Sequence, residues 1–324
     1  MKHFKSFMDP QLQQYADYRL ALGYAKKGIK PPLLAFDRYL IAQKVTWHQL
    51  QPTFFLQLRA TISDHPNTVN RILSALRSFF QFLVRQQICE DNPLKDIPPL
   101  PERYFVPFVF SPAQTERLLQ AVGQNIRKTP KYFLTDMAIY LAIVLLARCG
   151  MRINEPLRVH LDQYCRHDGT IYIEKTKFRK DRLIPLPQIA LTQIENYLAL
   201  RTALRADDQN PYLLAARKQR QLTDGQVRDT FHQAVKNIRI SQPKQVIGNI
   251  TFGKPLPHSL RHAFAINTLN QIKARGNCPQ QALPVLATYM GHRKYQYTAA
   301  YLKVKDAKDI PGLIAFTKSQ LDVI

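Results

Sequence analysis

The sequence has few cysteines and no long apolar run. Its four cysteines lie far apart with no Cys-x-x-Cys pair, so it predicts neither a zinc ribbon nor a disulfide framework, and we expect reduced, mostly buried thiols. The longest apolar run, residues 137–147, is far shorter than the roughly 20 residues of a membrane-spanning helix, and no apolar stretch follows the lysines of residues 1–14. These absences predict a cytoplasmic protein without membrane contact. The cysteines are Cys89, Cys149, Cys165 and Cys278.

Acidic residues are also scarce. Lys and Arg number 46 against 23 Asp and Glu, which gives a formal net charge of +23 and an isoelectric point near 10.0. Because 45% of the residues are hydrophobic, the chain is too apolar to be a disordered basic tail. A folded protein of this charge is expected to bind a polyanion, since each phosphate that it neutralises releases counterions, and nucleic acid is the leading candidate. The charge alone also fits a solvated basic surface with no specific partner.

Two catalytic arrangements are missing from the sequence. Asp and Glu do not form the clusters that two-metal nucleases use, and there is no Gly-x-x-x-x-Gly-Lys-Ser/Thr phosphate loop. His258 and His262 stand four residues apart, as zinc ligands on a helix can, but position 259 is Ser where a zinc protease has Glu. We therefore predict no metal and no cofactor, and a structural role for His262.

A chain of 324 residues favours two domains, at roughly one to two hundred residues each. Apolar residues recur at three- and four-residue spacing over 68–88, which predicts an amphipathic helix, and weaker helical patterns precede it. Five prolines then fall within 92–107, enough to end helices and to form a stiff, extended connector. The sequence thus predicts a helical first domain over 1–97, a connector over 98–107, and a second domain with a C-terminal tail over 108–324.

The second domain begins with helical patterns. Ser111 is predicted to start a helix with Pro112 at its first position, and residues 136–148, apolar all round, predict a buried core helix. Two β-rich segments, 170–174 and 182–186, flank a basic loop and predict a β-hairpin. The predicted fold is therefore mainly α with a small β-hairpin or sheet, an α+β class.

Three short segments of the second domain concentrate polar groups suited to phosphate chemistry. They are Gly150-Met-Arg152-Ile-Asn-Glu155, His258-Ser-Leu-Arg261, and Gly291-His292 followed nine residues later by Tyr301. Each alone is a weak signal, because an arginine after a buried helix is usually a surface cation and a lone histidine is usually structural. Their order and spacing carry the interpretation.

With Lys177 on the hairpin loop, this series resembles the complete signature of the tyrosine recombinases, the phage-integrase family of Xer-like and mobile-element integrases. Residues 74–80 and 90–93 resemble the end of that family's N-terminal domain, and 182–186 resemble the strand after its catalytic lysine. The resemblance implies a helical core-binding domain and a catalytic domain that form a C-shaped clamp on DNA. It also implies strand cleavage and rejoining through a 3′-phosphotyrosine link, with neither metal nor ATP.

Tyr301 is the nucleophile that the resemblance implies. Since a phenol has a pKa of about 10, its attack needs a proton acceptor and an electropositive site, and His258 is the candidate acceptor. Tyr295 and Tyr297 are rival nucleophiles by residue type, although the spacing from the preceding Gly-His pair favours Tyr301.

The remaining site residues would bind the phosphate or move protons. Arg152 and Arg261 suit the phosphate because a guanidinium forks onto two oxygens and stays charged, so lysine should replace either one poorly. By family resemblance His292 would donate a hydrogen bond to the phosphate, and Glu155 would orient the cationic groups.

The general acid is predicted by family resemblance to be a lysine of the hairpin loop. Register with residues 182–186 selects Lys177, which would protonate the departing 5′ oxygen. Lys175 and Lys180 are near enough to remain alternatives.

The expected partner is double-stranded DNA with specific recombination sites, held by a homotetramer, with accessory proteins as further candidates. On the predicted amphipathic helix, Arg71 and Arg77 are expected to contact phosphates, although either could be a solvated charge. The interval from Arg261 to His292 is longer than in chromosome-dimer resolvases, with an extra loop expected at 273–279, which favours integration or transposition of a mobile element. Two alternatives stay open: a type IB topoisomerase-like enzyme, and a catalytically silent DNA-binding regulator of the same fold.

Overall fold

The computed structural model describes residues 3–63, 65–101, 104–174, 181–205, 208–217, 220–240, 242–248, 250–292 and 298. The backbone divides into two compact units, Met1–Arg103 and Tyr104–Ile324. The division falls inside the predicted connector, but Tyr104–Val106 forms a strand, β1, of the second unit. The prediction of a connector over 98–107 is corrected at these residues.

The described part of the first unit is helical. Its elements are α1 Asp9–Ala21, α2 Lys26–Gln43, α3 Pro52–Thr61 and α4 Pro66–Arg85. The amphipathic helix predicted over 68–88 is α4, and its apolar stripe packs into a core with side chains of the other three helices. The buried residues of α4 are Val69, Ile72, Leu73, Leu76, Phe79, Phe80, Phe82 and Leu83.

The chain that leaves α4 is fastened back onto that helix. Arg77 donates from Nε to the Leu94 carbonyl (3.1 Å) and from Nη2 to the Ile97 carbonyl (2.8 Å). Asn70 and Leu100 exchange two hydrogen bonds of 2.8 Å. Residues 94–100 therefore belong to the first unit's packing, and Arg77, predicted to bind DNA, has a structural role that the sequence did not indicate.

In the described part of the second unit, most helices pack around one apolar helix. The helices of this part are α5 Pro112–Gln124, α6 Phe133–Cys149, α7 Gln188–Leu204, α8 Asp224–Asn237, α9 Pro257–Ala274 and α10 Pro279–Met290. As predicted, Ser111 caps α5: its Oγ accepts from the Gln114 amide, and Gln114 Oε1 accepts from the Ser111 amide. The predicted core helix is α6, which packs against α5, α7, α8 and α9.

Two three-stranded sheets complete the described fold. The predicted hairpin is present: β2 Tyr164–Cys165, β3 Thr170–Ile173 and β4 Arg182–Pro185 pair antiparallel in that order, with Thr170 opposite Pro185 and Ile173 opposite Arg182. The second sheet was not predicted. In it, β1 pairs parallel with β6 Ile250–Phe252, which pairs antiparallel with β5 Gln245–Ile247. Each of its strands has three residues, too few for an alternating pattern to be recognised.

The cysteines differ from expectation in their burial. All four are free thiols, but Cys165 and Cys278 are exposed and only Cys149 is fully buried. The prediction of mostly buried thiols is therefore wrong. In the described part of the chain, no helix combines the length and the apolar character needed to cross a membrane.

Candidate active site

The site begins where α6 ends. Gly150 caps that helix with φ +58°, a left-handed conformation that favours glycine, and a Cβ there would collide with the Phe264 ring of α9. The left-handed cap turns the chain at the point where α6 and α9 approach closely, and Arg152 follows two residues after Gly150. The predicted Gly150–Glu155 motif therefore forms the end of α6 and places Arg152 just beyond it.

We predict that Gly150→Ala destabilises the protein by about 2–4 kcal/mol, the sum of left-handed backbone strain and overpacking against Phe264. Gly276→Ala is the matched control, because Gly276 also has positive φ (+79°) but a Cβ there would meet no atom within 4 Å. It should cost only about 1 kcal/mol. Urea unfolding measures both, and equal losses would show that the Phe264 contact is relieved without cost.

Arg152 is held by a buried carboxylate. Its amide donates to Glu155 Oε2 (2.6 Å), its Nη1 donates to Glu155 Oε1 (2.9 Å), and its Nη2 donates to the Gly291 carbonyl (2.7 Å). Glu155 also accepts a fork from Arg182, with Nη1 at 3.0 Å and Nη2 at 2.8 Å. The orienting role predicted for Glu155 thus has a geometric basis: one carboxylate fixes two guanidinium groups.

Arg261 reaches the same place from α9. Its Nη1 donates to the Gly150 carbonyl (2.6 Å), and its Nη2 donates to the Met290 carbonyl. Arg152 binds the next carbonyl, that of Gly291, so the two predicted phosphate ligands meet at adjacent peptides. Arg261 is only 1% exposed. A phosphate could therefore contact the Arg261 guanidinium only after neighbouring groups move away from it.

The carbonyls that bind these arginines lie at the C-terminal ends of α6 and α10. A helix C-terminus has unpaired carbonyls and the negative end of the helix dipole, so it stabilises cations. Gly291 ends α10 in the left-handed conformation with φ +63°. The carbonyls at these two helix ends thus hold the two positively charged arginines close together.

The histidines surround this point. His258 lies in the first turn of α9, exposed, and its ring meets that of His262 edge to face at 4.7 Å between centroids. Burial, followed by the charges of His258 and Arg261, lowers the pKa of His262 to about 3. Among the described residues no His, Cys, Asp and Glu side chains are grouped to hold a metal ion.

His292 follows the Gly291 cap. Burial, followed by the charges of Arg261 and Arg152, lowers the pKa of His292 to about 4, so the ring is neutral at pH 7. Its Nδ1 is 2.7 Å from the hydroxyl of Thr298, a fully buried residue. A neutral imidazole carries one N–H, so Nε2 can donate to another group when Nδ1 accepts from the Thr298 hydroxyl.

These two depressed pKa values predict acid sensitivity. In the unfolded chain both imidazoles titrate near 6.5, whereas in the folded chain they stay neutral down to about 4 for His292 and about 3 for His262. Below pH 6.5 the unfolded state therefore binds more protons, so the stabilisation present above that pH is lost as the pH falls. Between pH 7 and pH 5 the free energy of unfolding should drop by about 2 kcal/mol, after allowance for partial exposure.

Urea unfolding at the two pH values measures this loss. His262→Gln should reduce it, while His48→Gln, on an exposed turn of the first unit, should leave it unchanged. A pH-independent free energy of unfolding in this range would contradict the prediction.

Known protein families match the part of the chain that contains this site. The model of the phage integrase family matches residues 109–308, and that of the phage integrase N-terminal SAM-like domain matches residues 30–87. Tyrosine recombinase XerD of Proteus mirabilis is 30% identical over 280 residues, which cover 84% of this chain and 80% of the relative. The chain belongs to the phage integrase family. It is a site-specific tyrosine recombinase, as the resemblance implied.

Solved structures of two integrases share the fold. A lambda integrase tetramer bound to a Holliday junction matches with a TM-score of 0.65 at 15% identity, covering 90% of this chain and 76% of that one. The Tn1549 transposon integrase in complex with a circular intermediate DNA matches with a TM-score of 0.60 at 18% identity, covering 90% and 94%. At these identities the likeness is one of fold.

Two of the predicted catalytic residues lie outside the described residues. They are Lys177, with its rivals Lys175 and Lys180, and Tyr301, with its rivals Tyr295 and Tyr297. Their roles stay predictions. Arg152, Glu155, Arg261 and His292 are brought together by the contacts above, and the charge of His258 acts on both His262 and His292.

Two residues at the site were given no role from the sequence, Arg182 and Thr298. A signal for Arg182 was available: Ile171, Ile173 and Ile184 alternate inward on the hairpin, which places Arg182 on the same buried face. A cation on a buried strand face needs a partner. For Thr298 the sequence offers only a hydroxyl three residues before Tyr301.

Proposed function

We propose that Arg152, Arg261, His258 and His292, with Lys177 and Tyr301, form one centre for DNA strand transfer. The observation that carries this proposal is the meeting of the Arg152 and Arg261 guanidinium groups at the adjacent carbonyls of Gly291 and Met290. Two fixed guanidinium groups at one point suit a phosphodiester, whose charge is spread over non-bridging oxygens.

The reaction exchanges one phosphodiester for another. The phenol oxygen of Tyr301 attacks the phosphorus and its proton passes to His258; the bond to the 5′ oxygen breaks, and that oxygen takes a proton from Lys177. The product is a 3′-phosphotyrosine link and a 5′ hydroxyl. A 5′ hydroxyl from another strand reverses the steps and releases Tyr301, so the number of phosphodiester bonds is conserved.

His292 and Glu155 support this exchange without taking a proton. Neutral His292 donates one hydrogen bond to the phosphate, with Thr298 holding its other ring nitrogen. Glu155 keeps Arg152 in place through two hydrogen bonds of its carboxylate. In other enzymes, removing one hydrogen-bond donor to the charge of the transition state, the role proposed for His292, lowers the rate about 10²–10³-fold.

The first unit supplies a second DNA contact. A cleft between α1, α2 and α4 is lined by Arg71, Arg19, Tyr24, Ser74 and Ser78, and an adjoining cleft by Arg77 and Arg85. The Arg19 guanidinium lies 3.6 Å from the centroid of the Tyr24 ring. Among the described residues that line the two clefts there is no carboxylate. Cations and hydroxyls without an opposing acid favour phosphate contacts, so Arg71 remains the stronger of the two predicted DNA ligands.

The biological substrate that we propose is a pair of specific duplex sites, held by a tetramer, for integration or transposition of a mobile element. The long interval between Arg261 and His292 supports this role over chromosome-dimer resolution. The structure has a connection within the loop expected at 273–279, but it is shorter, because α9 continues to Ala274 and α10 begins at Pro279.

The test uses a library of duplexes from element ends and from chromosome-dimer sites, each with a nick beside the expected cleavage position. The short fragment released by cleavage diffuses away, so the protein should remain covalently attached in EDTA and without ATP. Site binding without any covalent complex would favour a silent regulator. Relaxation of a supercoiled plasmid that lacks a site, at the same rate, would favour a topoisomerase-like enzyme, and cleavage only with a divalent cation would contradict the mechanism.

A further inference from the structure

Arg182 is a buried arginine with every guanidinium nitrogen engaged. Its Nε donates to the Tyr289 carbonyl (2.9 Å), and Nη1 and Nη2 fork onto the Glu155 carboxylate (3.0 and 2.8 Å). The side chain is 7% exposed. It stands at the start of β4, so one residue joins the hairpin, the Glu155 carboxylate and the end of α10.

Arg182 lies so close to the end of α10 that a side chain at the cap of that helix would crowd it. A Cβ on Gly291 would lie 3.1 Å from Arg182 Nη1, and the positive φ of Gly291 already disfavours a side chain. The same Gly291 carbonyl binds Arg152. The position of Arg182 is thus coupled to the turn that precedes His292.

The charges explain why a second cation is needed here. Burial alone would raise the pKa of Glu155, but the hydrogen bond and charge of Arg182, followed by those of Arg152, bring it below the usual value. A buried, ionised carboxylate draws any neighbouring cation to itself unless another partner neutralises it. With Arg182 present, the guanidinium groups of Arg152 and Arg182 share the single negative charge of Glu155. These three side chains together keep one net positive charge that can attract a phosphate.

We propose that Arg182 is a positioning residue for strand cleavage, which neutralises Glu155 so that the charge of Arg152 remains available to the scissile phosphate. Through the Tyr289 carbonyl it also fixes the start of β4 relative to the turn before His292. This inference rests on the proposed function of the site. It assigns Arg182 no contact with DNA.

Single-turnover cleavage of the nicked site, at saturating protein, tests the idea. Arg182→Met should lower the cleavage rate about 100-fold while site affinity changes less than about threefold, since the residue acts on transition-state charge rather than on binding. Glu155→Gln alone should lower the cleavage rate less than Arg182→Met does. The double variant Glu155→Gln with Arg182→Met should cleave at least tenfold faster than Arg182→Met, because the uncompensated carboxylate is gone.

A merely structural role makes a different prediction. Losing two partners of one buried network should then lower the rate at least as much as losing one, so a double variant no faster than Arg182→Met would overturn the proposal. Rates are compared per folded molecule, with folding checked by circular dichroism. If Arg182→Met does not fold, Arg182→Gln, which also removes the charge, replaces it, and Glu155→Gln should rescue that variant as well.

The matched control is Arg201→Met in the same unit. Arg201 is also buried and bound to a carboxylate, with Nε 2.9 Å from Asp208 and other bonds to the carbonyls of Asn210 and Tyr212. It should lower the melting temperature without changing the cleavage rate of the folded protein. Failure of the wild-type protein to form a covalent complex would contradict the proposed function, whereas an active wild type without rescue would contradict only this inference.

Discussion

Replacing Tyr301 with Phe should abolish covalent capture of DNA while leaving site binding within about twofold. The substitution removes only the hydroxyl group that is proposed to attack phosphorus, and phenylalanine has no oxygen with which to form a phosphotyrosine link. The aromatic ring and all the cationic groups remain, so the attraction between the protein and the phosphate backbone is unchanged. Denaturing gels of the nicked-site reaction measure capture, and gel shifts of the same duplex measure binding.

Two neighbouring tyrosines provide the matched controls. Tyr295→Phe and Tyr297→Phe should each be captured at the wild-type level, and peptide mapping of the wild-type complex should find the nucleotide on Tyr301. Capture by Tyr301→Phe at the wild-type level would redirect the nucleophile to one of these residues. Loss of both capture and binding would instead indicate a damaged fold.

Much of the fold could be predicted because its elements are long and periodic. Helix α4 shows three- and four-residue spacing over five turns, and α6 is apolar on every side, so burial was the only arrangement open to it. The hairpin was predicted because β-branched residues flank a basic loop. By contrast, β1, β5 and β6 are set by tertiary pairing over three residues each, and local sequence holds too little information for that.

The candidate site was predicted through its motifs, but not through its supporting contacts. Arg152 and Glu155 lie three residues apart, so their pairing is local, whereas Arg182 meets Glu155 across 27 residues and the Tyr289 carbonyl across 107. Arg77 shows the same limit, since its bonds to residues 94 and 97 depend on how the exit segment folds back. Sequence indicates which side chains carry charge; the packing decides whether a charge faces the DNA or the protein.

Arg152→Ala should lower the single-turnover cleavage rate by about 10³-fold. Of the two proposed phosphate ligands, Arg152 is the more accessible, because its side chain is about one-fifth exposed while that of Arg261 is almost fully buried. Loss of the Arg152 guanidinium removes a positive charge from the place where negative charge develops on the phosphate oxygens in the transition state. The variant also leaves Glu155 with one guanidinium partner, Arg182, so the net charge facing the phosphate falls.

Arg152→Lys separates the two contributions. Lysine keeps the charge but cannot fork onto two oxygens or hold both Glu155 and the Gly291 carbonyl, so the rate should recover only in part, to about 10–100-fold below wild type. Arg148→Ala is the control: its guanidinium pairs with Glu116 on the surface at 2.6 Å, just before the end of α6. That variant should cleave at the wild-type rate. A lysine variant as active as the wild type would mean that the phosphate needs only a point charge at this position, and equal losses in Arg148→Ala would mean that the end of α6, rather than Arg152 itself, limits cleavage.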